Sequence, residues 1–332
     1  MRREFLYNIQ MRNLFAFALA LSCVACQTPE SSTRGVSGDL TLGAAVTPWN
    51  DSTSTGKQIA TAHYHIYTTA NNQPLLSALP GFMEAAHVNH LALTGLPERP
   101  QAALLPVYIM GTRKDWEALT VARFGEKAPM LSIEAGGYCH EKVCVLWDMG
   151  GLGTLSTASH EGMHQFLAHR MKNSLPMWLE EGVCTLCEGY EITRDRVVFT
   201  QDKNASRFGT LRGMLMRNDW TPLEKLLPLD AGDVVTRPAE EAVGYYGQLW
   251  ALALMLRTPK YRPGLERLMA DAEGGKLLGG KLDKLRADGI QPGTKLYNRT
   301  ISVPVFRQYI ATDLAAFDRE YRAFAEKLVK RQ

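Results

Sequence analysis

Charge of one sign is not in excess in this chain: 37 Lys and Arg stand against 34 Asp and Glu, a formal charge of +3 over 332 residues. With no Lys/Arg cluster interleaved with aromatics, the sequence offers no footing for a phosphate backbone, so no nucleic acid is expected as a partner. Internal repeats are missing too, which excludes solenoids and propellers. Cysteine is scarce, six residues in all. The apolar run from Leu14 to Ala25 falls short of the roughly 20 residues that cross a bilayer as a helix.

What that run does provide is an export signal. Arg2, Arg3 and Arg12 precede it, the order of a basic leader followed by an apolar segment. It leads into Leu21-Ser-Cys-Val-Ala-Cys26 and the polar Gln27-Thr-Pro-Glu-Ser-Ser-Thr, which resembles a bacterial lipoprotein cleavage box. Cys26 is the expected lipidated residue; Cys23, and a plain secretory signal without lipid, are the alternatives. Residues 1–25 are then the signal peptide. The mature chain would keep 34 basic and 33 acidic residues, a formal charge near +1. It is expected as a monomer held by a lipid anchor to the membrane of the cell envelope, facing the periplasm or the surface, or alternatively secreted.

Residues 26–58, rich in Ser, Thr, Gly and Pro with little apolar periodicity, read as a flexible tether, with folding starting near Gln58. Residues 59–155 read as a mixed α/β subdomain: strands over His63–Thr68 and Leu104–Met110, helices over Gln73–His90 and Arg113–Phe124, and short strands between Gly136 and Trp147. Residues 156–332 read as metal-site helices and a helical carboxyl-terminal subdomain. Its helices are expected over Thr157–Met171, Pro176–Tyr190, Pro222–Leu227, Glu240–Arg257, Pro263–Ala272 and Val305–Val329. The fold class is α+β.

Cys139, Cys144, Cys184 and Cys187 remain after the anchor, an even number suited to two disulfides outside the cytoplasm. Local pairs, Cys139 with Cys144 and Cys184 with Cys187, are favoured. Cross-pairing between the segments is the rival, because a bridge spanning three residues of a helix is strained. A four-thiolate zinc site is a further alternative.

The chemistry-bearing string is Ser159-His-Glu-Gly-Met-His-Gln165. On a helix, His160 and His164 share a face and can offer ring nitrogens to one metal ion. Glu161 cannot share that vector, and from the side it suits a general base acting on water. A third ligand is required. The metzincin pattern fails, since Leu167 and Arg170 stand where glycine and histidine are needed, and His169 lies on the opposite face.

Leu175-Pro-Met-Trp-Leu-Glu-Glu-Gly-Val183 is different. Its Trp178-Leu-Glu-Glu-Gly182 resembles the W-L-x-E-G segment of peptidase-MA-like gluzincin domains, zinc metallopeptidases that also carry the HExxH string. The resemblance implies Glu181 as third ligand, leaving Glu180 aside, and Glu188 as a supporting glutamate outside the ligand set. Tyr245-Tyr-Gly-Gln-Leu-Trp-Ala251 resembles the Y-x-Q-x-W-A segment of such domains, which marks Tyr246 as a donor to an oxyanion. It implies a zincin-like fold: a small mixed sheet whose edge strand, taken as Val143–Trp147, lies beside the active-site helix and binds extended peptide. One Zn2+ per chain and a peptide or protein substrate follow, with Glu161 and Tyr246 catalytic. The other reading kept open is a catalytically silent zinc-binding lipoprotein that serves as a binding module.

Overall fold

Six strands form the larger sheet of the computed structural model, which describes residues 35–330 apart from 102, 135 and 235–238. The expected signal peptide over residues 1–25, and Cys23 and Cys26, lie outside the described residues. The strands in chain order are β1 (Ser37–Asp39), β2 (Ala45–Asn50), β3 (Thr55–Ala60), β4 (Tyr64–Thr68), β5 (Leu105–Met110), β6 (Gly137–His140), β7 (Val143–Trp147), β8 (Tyr190–Thr193) and β9 (Arg196–Phe199). The larger sheet runs β2-β3-β4-β5-β7-β6. The β4/β5 and β5/β7 pairs are parallel and the rest antiparallel. A second, three-stranded antiparallel sheet is ordered β1-β9-β8.

The helices are α1 (Gln73–Thr94), α2 (Arg113–Phe124), α3 (Gly151–Arg170), α4 (Met177–Leu186), α5 (Ala205–Arg217), α6 (Leu223–Leu226), α7 (Ala231–Val234), α8 (Ala239–Leu256), α9 (Arg262–Gly274), α10 (Lys281–Ala287), α11 (Lys295–Tyr309) and α12 (Leu314–Lys330). The molecule is therefore α+β with a small mixed sheet. Among the described residues, no helix is long and apolar enough to cross a membrane.

Strand β7 explains how the sheet is sandwiched. Its alternate residues go to opposite faces: Cys144 and Leu146 pack with Leu79 and Phe82 of α1 and Leu155 and Ala158 of α3, while Val145 and Trp147 pack with Trp116 and Leu119 of α2. A strand covered on both sides reads as a continuous apolar run, as Val-Cys-Val-Leu-Trp does. Beyond Leu155 and Ala158, α3 turns Met163, Phe166 and Leu167 into a second core with Trp178, Trp250 and Phe306. The boundary drawn at residue 155 thus falls inside one helix shared by both cores.

Several expectations are corrected. Folding begins well before Gln58, since β1, β2 and part of β3 occupy the presumed tether. Edge strand β2 is exposed along most of its length and so shows no alternation; it tolerates Pro48, and its Trp49 ring lies 5.3 Å from Tyr67 and 5.8 Å from Tyr108. Val143–Trp147 is not the edge strand. A two-residue turn at Glu141 and Lys142, both at positive φ, folds β6 back over it, so Gly137–His140 is the edge, and it packs against α3. The stretch after α4 is not all helical: the β8–β9 hairpin interrupts it. The single helix expected over 305–329 is two, parted before Asp313, whose carboxylate accepts from Ala316 N at 2.9 Å and caps α12.

The cysteine pairs are likewise corrected: Cys139, Cys144, Cys184 and Cys187 are free thiols. Cys144 Sγ points inward to the Glu161 carbonyl, 3.1 Å away, although Cys139 faces Cys144 across the hairpin. Cys187 Sγ donates to Val183 O at 3.5 Å. Neither cross-pairing nor a cysteine-only metal cluster occurs among the described residues.

Candidate metal centre

Helix α3 presents His160 and His164 one turn apart, with ring centroids 5.1 Å from each other. Helix α4 approaches them because of how its first turn is anchored. Pro176 precedes it, Met177 N donates to Asn298 Oδ1 at 2.8 Å, and buried Trp178 packs on Phe306 at 5.4 Å. Gly182 lets α8 come close: a Cβ there would meet Ala253 Cβ and the Leu249 carbonyl, both at 3.3 Å. The Trp178-Leu-Glu-Glu-Gly182 string therefore anchors, aims and packs one short helix.

With α4 so held, Glu181 Oε2 lies 3.5 Å from His160 Nε2 and 3.6 Å from His164 Nε2. Donors around a tetrahedral zinc with bonds of about 2.0–2.1 Å sit roughly 3.4 Å apart, so the three atoms have the spacing of a shared ion. That Glu181 oxygen is buried and makes no hydrogen bond, an expensive arrangement unless a cation takes it. The donor set therefore fits a metal. Buried Cys184, one turn on from Glu181, also reaches the two imidazoles: one donor atom each from His160, His164 and Cys184 lie within 4.8 Å of one another. Burial pushes its thiol pKa up, which favours a neutral neighbour over a thiolate ligand.

The far nitrogens of both rings are fixed by carboxylates. His160 Nδ1 lies 2.8 Å from Glu188 Oε1, and His164 Nδ1 lies 2.9 Å from Glu180 Oε1. A proton on each Nδ1 leaves each Nε2 lone pair aimed at Glu181. Glu188 is held in turn by Arg207 Nε at 2.8 Å and Nη2 at 2.6 Å, and by Asn204 Nδ2 at 2.8 Å. Burial opposes the Glu188 charge, but Arg207 and His160 outweigh it and bring its pKa to about 2. His160 moves the other way. Burial alone would lower its pKa, yet Glu181 and Glu188 raise it to about 9, so a metal ion would displace the Nε2 proton on binding there.

Glu161 is 9% exposed and lines the same cleft, a cavity of about 750 Å³. Burial raises its pKa despite the pull of His160 and His164. Tyr246 of α8 forms part of the opposite wall, with the Arg207 guanidinium 5.0 Å above its ring; burial raises its pKa, so its hydroxyl keeps its proton. Tyr245 turns into the helical core instead. His169 is exposed at the end of α3. Gly136, Tyr138 and Cys139, in or next to edge strand β6, form the remaining wall.

Sequence reasoning missed Arg207, Asn204 and the role of Glu180. An Asn-x-x-Arg at a helix start gives little warning: Asn204 caps α5 through Arg207 N while its amide reaches Glu188.

A model of the family described as a protein of unknown function (DUF1570) matches residues 154–268, a span that holds His160, Glu161, His164, Glu181, Glu188, Arg207 and Tyr246. No curated protein and no solved structure matches the chain.

Proposed function

We propose that this chain is a zinc-dependent hydrolase of the gluzincin type, a peptidase exported to the cell envelope and tethered through Cys26. The observation that carries the reading is the meeting of His160 Nε2, His164 Nε2 and the unpartnered Glu181 oxygen in a cleft that Glu161 also enters. A zinc ion held by these three would polarise a carbonyl and bring the pKa of water toward neutrality.

The chain's own residues supply the rest. Glu161 has no place among the three donors, and its raised pKa suits it to take a proton from water and pass it to a leaving amine near neutral pH. Tyr246, protonated and opposite, can donate to an oxygen that gains negative charge. Strand β6 offers an unpaired edge along the cleft, suited to backbone pairing with an extended peptide. The DUF1570 match spans Glu161 and Tyr246, though not strand β6, and adds no substrate.

A quenched-peptide library tests the reading on the purified chain. Slow cleavage is expected, sensitive to chelator, abolished by Glu161→Gln with zinc retained, and lost together with zinc in His164→Ala. Equal inertness of wild type and Glu161→Gln on every peptide and peptidoglycan fragment would replace it with the binding-module reading.

A further inference from the structure

A second cluster lies on the far flank of α1. His63, just before β4, has Nδ1 at 2.5 Å from Glu84 Oε2. Its Nε2 lies 3.8 Å from Glu98 Oε1, and His87 Nε2 lies 3.2 Å from that same oxygen. The two rings stack at 3.9 Å with 15° between planes, and both Nε2 atoms lie near the one Glu98 oxygen. One donor atom each from His63, His87 and Glu98 lie within 4.8 Å of one another.

The organisation shares part of that of the centre on α3: two imidazole Nε2 atoms beside one carboxylate oxygen, with a further carboxylate holding one Nδ1, that of His63, while His87 Nδ1 has no partner. Distances of 3.2 and 3.8 Å bracket the roughly 3.4 Å donor separation of tetrahedral zinc. Glu84 on His63 Nδ1 fixes the tautomer that leaves Nε2 free. Glu84 is itself held in place by the His63 backbone N–H, which donates to its Oε1 at 2.9 Å. His87 is 1% exposed, and its Nε2 lies within hydrogen-bond distance of Glu98, so an ion would take the place of a proton between them. Glu98, 52% exposed, leaves the outer side open to water as remaining ligand.

We infer that His63, His87 and Glu98 form a second, structural site for a divalent transition-metal ion such as zinc, separate from the cleft and independent of its chemistry. The ion's effect follows from what its ligands are attached to. The segment after α1 that carries Glu98 is tied to the helical half: Arg99 bonds Glu273 at 3.0 Å, and Arg170 bonds both Pro97 O and Glu273. An ion on Glu98 therefore staples the β3–β4 turn and α1 to α3 and α9. Because the rings are stacked nearly parallel, they must tilt toward each other at their Nε2 edges to converge on an ion, and this site holds metal less tightly than the inner one.

The test is zinc stoichiometry of the full chain after chelation and dialysis against zinc alone. Wild type is expected to hold about two equivalents, and His164→Ala, Glu98→Gln and His63→Ala about one each. The Glu98→Gln change is at an exposed side chain, so folding is preserved. Mild chelation should remove the outer equivalent first and lower the thermal midpoint. If Glu98→Gln and His63→Ala both keep the wild-type zinc content, the second site does not exist. If His164→Ala changes nothing while Glu98→Gln still releases one equivalent, the outer site stands and the inner reading falls.

Discussion

Nδ1 of His160 lies 2.8 Å from Oε1 of Glu188, and that contact decides which imidazole nitrogen faces Glu181. Because Arg207 and Asn204 grip the same carboxylate, it cannot swing away. Glu188→Gln should therefore leave the three donors in place yet weaken zinc about 10–100-fold, by loosening ring orientation and lowering ligand basicity. Competition against a chromophoric chelator measures it; an unchanged affinity would show that Glu188 does not orient the ring.

Tyr246 and Tyr245 are neighbours with opposite surroundings, which makes them a matched pair for mutation. Tyr246→Phe should cut kcat by about 10²–10³ with KM little altered, the pattern of a donor used in the transition state. Tyr245 has a buried hydroxyl without a partner, so Tyr245→Phe should leave kcat near wild type and stability equal or better. Equal losses in both variants would point to packing rather than to an oxyanion donor.

His90 governs acid stability. Its ring is wholly buried, with Nε2 3.2 Å from the Ser159 carbonyl. Burial, with His87 acting in the same direction, lowers its pKa from 6.5 to about 3. Between those values the unfolded chain binds this proton and the folded chain does not, so stability falls as pH drops through that window. A single group with such a shift costs on the order of 3–5 kcal/mol at the acid end. Denaturant midpoints taken in chelator from pH 7 to 4 should fall steeply in wild type and more gently in His90→Gln. Parallel curves would remove His90 as the cause.

Gly182→Ala places a methyl group against the Leu249 carbonyl and Ala253 Cβ, both at 3.3 Å. A backbone carbonyl yields little, so α4 must move off α8, carrying Glu181 with it. Alanine's better helix propensity, worth about 1 kcal/mol, offsets part of the strain. The expected net change is about 1 kcal/mol of lost stability, with a larger proportional loss of zinc affinity. Thermal melts and zinc titration on one preparation separate the two.

The parts legible from sequence were those with strong local signals. Helix α2 coincides with its periodic segment, Arg113–Phe124, and α1 overruns its expected end by one turn, to a Gly95 cap at positive φ. Residues His160 and His164 follow from helix geometry alone, and the structure places Glu181 between their rings. Helix α5 was missed although Phe208, Leu211, Met214 and Leu215 share one face, because that short stripe is interrupted by Gly209 and Gly213 and only Leu211 and Met214 are fully buried, and with it went Arg207. Edge strands β2 and β6 misled for a related reason. An edge covered on one side or neither gives weak alternation, and which of two adjacent strands lies outermost is a property of the turn between them.

The side chain of Gln165 has a consequence for how the cleft can open. Its Nε2 donates at 2.8 Å both to Pro106 O in β5 and to Lys142 O in the β6–β7 turn. One amide thus rivets the middle of α3 to two places in the sheet, at a level between His164 and the end of the helix. The imidazoles and the strand edge beside them have no hinge between them and move as one body. Arg207 is fastened to His160 through Glu188, so that wall too is tied to α3, and an incoming chain meets a cleft already set at its present width.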